Sequence, residues 1–394
     1  MPAGIPPKGG PLGRSRSRLS ASGLTTYLRC PRQWYLTRKV GLSSPSSIGQ
    51  VTGLVIEDAL CRVLMHRPRA MDSLDELRNW AYDLCKVEAE HAWNEGKEAW
   101  ESRLWKRDDS DWSSVEIENY EDKIRQGVSL FLEEVESCFN ANGGPFLSTF
   151  RSGSNPYKIP APAWGERPVF PVPEKVRSIQ ARDWSVEHPF SWQEDDSAVQ
   201  WNEAWEIARP WFKDPRVHQP QRMFHPEGWA AGELDLVLRW DGNIRLVDIK
   251  SGHSGSVFAE SLQHQLRFYA WLWSRTNEEG EVVSMEGWYL SSKERIEYEA
   301  PSKEELTSMD SEFFEINETM RSMGEGASMF PANPHQGISD HQNACSGEAA
   351  GCSWCNVSTE NIESSGPMSQ KTRNIMLRGV RIQAPCLPFS EIPS

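Results

Sequence analysis

The chain has 394 residues, 38% hydrophobic and 10% aromatic, and carries a net charge of −14. That length and composition support a packed core in one large domain or two, and they exclude global disorder. The apolar runs are too short to span a membrane, and the acidity excludes a uniformly basic surface. The opening Met-Pro-Ala-Gly-Ile-Pro-Pro-Lys lacks an apolar signal core, so the expectation is a cytoplasmic protein with no membrane contact.

Residues 1–18 are rich in Pro, Gly, Ser and Arg and read as a disordered tail. Charge is unevenly spread. Residues 1–56 hold eight Lys/Arg and no acid, residues 364–390 hold four Lys/Arg and no acid, and the acids gather in 57–140 and 278–325. A nucleic-acid path at the basic ends and simple solvated tails both fit this pattern. Ser20-Ala-Ser22 is placed to cap a short helix containing Leu24, Tyr27 and Leu28, with Pro31 just past Cys30. Val51, Leu54, Val55, Ala59, Leu60, Val63 and Leu64 recur at helical spacing, and 73–100 and 115–140 repeat that periodicity. Cys61, Cys85 and Cys138 fall on these helices and read as small buried hydrophobes. Residues 146–194 read as irregular, with short strands near Val169–Val172. Two β-rich runs, 234–239 and 244–249, flank Trp240-Asp-Gly-Asn243, a hairpin signal. A helix over 259–275, a strand over 282–290 and a helix over 303–323 follow. Residues 328–358 then read as a loop organised by a ligand, and a strand is expected around Ile375–Ile382.

Chemistry concentrates in Gly232-Glu-Leu-Asp235, Val247-Asp248-Ile249-Lys250-Ser-Gly and Gln265-Leu-Arg-Phe-Tyr269. Residues two apart on a strand share a face, so Asp248 and Lys250 project together while Val247 and Ile249 enter the core. Asp235, at the start of the preceding strand, reaches the same end of the sheet. Two carboxylates suit Mg²⁺ or Mn²⁺, and a neighbouring lysine can orient water or neutralise charge on a phosphate. Gln265 and Tyr269 are four apart and share a helix face. Asp-x-Lys alone occurs on many solvated strands; its specificity comes from this surrounding order.

In that order the chain resembles the RecB-like nucleases of the PD-(D/E)xK superfamily, the branch that includes the AddB nuclease domain and CRISPR adaptation exonucleases. The resemblance implies a restriction-endonuclease-like α/β core with a central mixed sheet flanked by helices. It implies Asp235, Asp248 and Lys250 as catalytic residues and Gln265 and Tyr269 as contacts to the DNA backbone. It also implies metal held by Asp235, Asp248, the Ile249 carbonyl and the last residue of a Gly-x-x-x-His or Gly-x-x-x-Glu helix. Gly53-Leu-Val-Ile-Glu57 has that spacing, with Glu57 where many members carry His.

Tyr27-Leu-Arg-Cys30-Pro-Arg-Gln-Trp-Tyr35 resembles the segment that opens the family's iron–sulfur members. With Cys345, Cys352 and Cys355 it implies a [4Fe–4S] cluster joining the two ends of the domain; four thiolates equally satisfy Zn²⁺. The order departs from the family pattern, because the lone cysteine precedes the Cys-x₂-Cys pair. Cys386, some thirty residues on, is a poor substitute.

The expected division is a basic tail over 1–19, the first part of the nuclease domain over 20–65, and a large, mainly helical insertion over 66–220. The catalytic core and cysteine cluster occupy 221–358, and a tail 359–394. The expected activity is metal-dependent DNA hydrolysis, as an exonuclease on single strands or ends in repair, recombination or CRISPR-type processing. The chain lacks helicase motifs, so a separate helicase or repair subunit is an expected partner. The alternatives are a non-catalytic, cluster-stabilised DNA-binding subunit, or an enzyme that cuts RNA. His253, after Lys-Ser-Gly, and Arg29, Arg32 and Arg38 are further candidates to approach phosphates, and some of the 18 tryptophans could stack on bases.

Overall fold

A computed structural model describes residues 18–40, 47–102, 111–151, 198–212, 223–254, 259–276 and 281–322. In chain order the helices are α1 (Ala21–Arg29), α2 (Pro31–Trp34), α3 (Ile48–Met65), α4 (Leu74–Glu101), α5 (Ile117–Asn140), α6 (Leu147–Arg151) and α7 (Trp201–Ala208). Then come β1 (Trp211–Phe212), β2 (Met223–Phe224), β3 (Ala231–Gly232), β4 (Leu236–Leu238) and β5 (Ile244–Lys250). The chain continues through α8 (Ala259–Thr276), β6 (Val282–Tyr289), β7 (Glu294–Glu299) and α9 (Lys303–Ser322). Among the described residues no helix is long and apolar enough to cross a membrane.

Local chemistry sets the helix starts. Ser20 accepts from the Gly23 N–H to begin α1, and Ser47 and Gln50 form a reciprocal capping box on α3. Ser73 caps α4 by accepting from the Glu76 N–H. The Asp241-Gly242 turn closes the expected hairpin, with Leu236 opposite Val247 and Leu238 opposite Arg245. The chain then crosses over through α8 and returns as β6, parallel to β5, with Asp248 beside Gly287 and Lys250 beside Tyr289. Antiparallel β7 and β1 form the edges, giving a mixed sheet ordered β1-β4-β5-β6-β7. The expected α/β architecture, a mixed sheet flanked by helices, is therefore what forms.

Both faces of this sheet are covered. Ile244 and Leu246 pack with Leu262, Leu266 and Trp271 of α8. Val247, Ile249, Leu236 and Leu238 pack with Leu60, Leu64, Val128 and Phe131 from α3 and α5, in a core that also takes in Leu77, Cys85 and Ala89 of α4. Cys61, Cys85 and Cys138 are buried in this second core as expected, and burial pushes the Cys85 and Cys138 thiols up to about 12. The N-terminal segment is stitched in by a parallel bridge between Leu19 and Ala230 and by a hydrogen bond from Arg18 Nε to the Gly228 carbonyl. The strands expected near Val169–Val172 and Ile375–Ile382 lie outside the described residues.

Under α5 the sheet carries a buried charge network. Glu134 accepts from Arg245 at 2.6 Å and from the Trp240 indole at 2.8 Å, and it also pairs with Arg295; Glu286 lies beside both arginines. Burial alone would raise the Glu134 carboxyl, but Arg245, Trp240 and Arg295 outweigh it and hold it down to about 2. Replacing Glu134 with Ala leaves two guanidiniums without their main acceptor, so Glu134→Ala should cost about 3–5 kcal/mol in urea unfolding at neutral pH. Because the folded carboxyl titrates below its ordinary 4.5, the network's contribution is present above that pH and is lost as pH falls toward 2. Melts across that window should narrow the gap between wild type and variant.

Candidate active site

Extending the β4–β5 register by one pair sets Asp235 opposite Asp248. Ladder pairing by β4 stops at Leu236, and the Asp235 side chain takes over: its Oδ2 accepts from the Ile249 N–H at 2.8 Å. Asp248 is only 3% exposed. Its Oδ1 accepts from Gln265 Nε2 at 3.1 Å, and its Oδ2 forms an ion pair with the Lys250 ammonium. The same Gln265 nitrogen donates to the Tyr269 hydroxyl at 3.1 Å, so one amide bridges the two side chains one helical turn apart and the strand.

Two glycines let the helices come this close. Gly287 lies beside Asp248 on the neighbouring strand, and a Cβ there would meet Leu262 of α8 at 2.7 Å and the Tyr289 ring at 3.0 Å. A side chain at 287 would force the Leu262 side chain and the Tyr289 ring to shift. At Gly53 on α3, a Cβ would meet Ser251 Oγ at 3.2 Å, just past Lys250. One turn further along α3, Glu57 comes within electrostatic reach of both Asp235 and Lys250.

Three carboxylates therefore face one ammonium. Burial first, then Glu57 and Asp248, push the Asp235 carboxyl well above its usual range. Burial would depress Lys250, but Asp248, Asp235 and Glu57 outweigh it and hold the ammonium above the ordinary lysine value. Tyr269 is pushed up by burial and by Asp248 and Asp235, which keeps its hydroxyl protonated. A set of three hard oxygen donors with excess negative charge fits Mg²⁺ or Mn²⁺ in kind. As the side chains stand, no three His, Cys, Asp or Glu among the described residues form a ready metal cage. Asp248 is engaged by Lys250 and Gln265, and Asp235 by the Ile249 amide.

Glu57, Asp235, Asp248, Ile249, Lys250, Gln265 and Tyr269 are thus brought together. Sequence reasoning passed over two neighbours: Glu233, whose field reaches Tyr269, and Tyr289, buried beside Lys250. The first sits two residues before Asp235 and was legible from strand alternation. The second needed the parallel register. His253 is exposed on the loop after Lys250 and faces Glu294 electrostatically. Cys30 is fully buried between α1 and α2, where its sulfur accepts from the Gln33 N–H at 3.4 Å among Tyr27, Trp34 and Tyr35. Cys345, Cys352 and Cys355 lie outside the described residues. Arg38 donates to Ser22 Oγ at 2.8 Å.

The sequence profile of the PD-(D/E)XK nuclease superfamily matches residues 18–142 and 176–359 of this chain. The chain belongs to that superfamily. The matched stretches take in α3, α4 and α5 as well as the β4–β5 hairpin and α8. Comparison with curated proteins gave no match.

Charge crowding at Asp235 has a measurable consequence. Its folded carboxyl binds a proton more tightly than the unfolded chain does, so stability falls as pH rises from the ordinary carboxylate range through the raised folded value. Asp235→Asn keeps an acceptor for the Ile249 N–H but removes the charge. In metal-free buffer at neutral pH the variant should melt above the wild type, and the difference should shrink in acid. A variant less stable than wild type at neutral pH contradicts the crowding.

Proposed function

We propose that this protein is a metal-dependent DNase that acts as an exonuclease on single strands or ends, in the manner of the RecB-like branch. The reading rests on superfamily membership together with one observation: Asp235 and Asp248 are in register across a hairpin, with Lys250 paired to Asp248 and Glu57 in reach. Glu57, Asp235 and Asp248, with the carbonyl of Ile249, would hold Mg²⁺ or Mn²⁺. The bound ion would polarise the phosphate and supply an activated water. Lys250, kept as an ammonium, would neutralise charge developing on the phosphate and help orient that water. Gln265 fixes the direction of the Asp248 carboxylate and, with Tyr269, would hold the DNA backbone beside it. A helicase or repair subunit would deliver the strand.

The test is incubation of the purified protein with end-labelled single-stranded and duplex DNA, and with RNA, in Mg²⁺ or Mn²⁺. Wild type should degrade DNA, and Lys250→Ala should lose about 10²-fold or more in rate. Binding of Mn²⁺ at 100 times its dissociation constant should stabilise the wild type by about 2.7 kcal/mol in thermal melts. Asp235→Asn should lose most of that gain. DNA binding without cleavage would favour the non-catalytic subunit instead.

We further propose that Cys30, Cys345, Cys352 and Cys355 hold a [4Fe–4S] cluster. Supporting this, Cys30 is buried at the junction of two N-terminal helices, the first of which packs against α8, so a ligand there would tie the C-terminal segment to the catalytic half. Anaerobic preparations should be brown, with about four iron and four sulfide per chain. Cys30→Ala should be colourless. Stoichiometric zinc in place of iron would establish the Cys₄ zinc site.

A further inference from the structure

Lys123, on α5, differs from most cations of this molecule. Four arginines of α3, α5 and the sheet each have a carboxylate partner: Arg62 with Glu88, Arg125 with Glu121, Arg245 and Arg295 with Glu134. Lys123 is half-buried, and among the described residues it forms no ion pair or hydrogen bond. Burial alone acts on its ammonium, and it lowers it.

Its position follows from contacts on either side along the helix. Tyr120 OH donates to Thr52 Oγ1, next to Gly53 of α3. A Cβ at Gly127 would meet Leu60 and Leu290, and the Leu290 N–H donates to the Lys250 carbonyl. At the other end Glu134 reaches Arg245, near the start of β5. So α5 runs antiparallel to β5 and β6, with its N-terminal turns at the catalytic end of the sheet. Around the helix, position 123 lies within about 20° of position 134, so it shares the sheet-facing side. Along the axis, 123 and 134 are about 16 Å apart. Arg245 and Lys250 are also about 16 Å apart along β5. Lys123 is therefore level with Lys250, at the strand ends, on the sheet face opposite Asp248.

We propose that Lys123 is a substrate-positioning residue that grips a backbone phosphate of the nucleic-acid strand flanking the scissile bond. This deepens the nuclease reading and rests on it. Lys123 lies across the sheet from Asp248, so the phosphate it holds is one further along the strand than the reacting one. A half-desolvated ammonium with no acid opposite it weakens the fold unless an anion arrives, and the anion this site exists to receive is a phosphodiester.

The test measures binding without cleavage: fluorescence anisotropy of a labelled single-stranded DNA oligonucleotide in EDTA, across a salt titration. Lys123→Met should weaken binding several-fold at low salt and reduce the slope of log affinity against log salt by about 0.7, the value for one phosphate on a single strand. Lys123→Arg should keep the slope. The melting temperature of Lys123→Met should equal or exceed that of wild type, which a structural lysine would not allow. An unchanged slope, or a melting temperature that drops with binding, overturns the assignment while leaving the nuclease reading intact. Failure of the wild type to bind any oligonucleotide overturns the reading beneath it.

Discussion

Two acids held opposite each other across a strand pair, largely out of water, repel unless the surrounding structure offsets them. Much of the structure around β4, β5 and α8 can be understood as that offset. The Ile249 amide donates to Asp235, the Gln265 amide to Asp248, and Lys250 places its charge against Asp248. Each depends on something larger. The amide is free to donate because β4 stops pairing at Leu236, and beside Asp248 Gly287 leaves the space that Leu262 of α8 fills. On the opposite face, the apolar packing of Val247 and Ile249 against α3 and α5 fixes the strand whose other side carries the charges.

How much of this was legible in the sequence depended on range. The hairpin, α8 and the Asp-x-Lys pair could be read because turn chemistry, 3.6-residue periodicity and strand alternation are local signals. The strand β7 escaped notice because Glu294-Arg-Ile-Glu-Tyr-Glu299 is a polar edge with few apolar residues to mark it. α7 escaped because it is only eight residues long. The Glu134 network could not be read at all, since its partners are 111 and 161 residues away and each alone looks like an ordinary surface charge. At the site, residue types and spacing were readable. The facing of Asp235 and Asp248, and the place of Tyr289 beside Lys250, had to await the registers.

The overall negative charge is also reconciled locally. Acids on α4 and α5 are largely matched within the helical layer, as by Arg62 with Glu88 and Glu95, or are solvated along its outer face.

The bridge from Leu19 to Ala230, with Arg18 bonded to the carbonyl of Gly228 about 210 residues away, sets an order of events during synthesis. At typical elongation rates the β2–β3 hairpin emerges roughly 10–40 s after the segment it receives. Until then α1 and α2, with Tyr27, Cys30 and Trp34, have no surface to dock on, and α8 appears later still. The first described part of the chain to be made is among the last to find its place. During that interval its apolar side is open to chaperones and its thiol to oxidation.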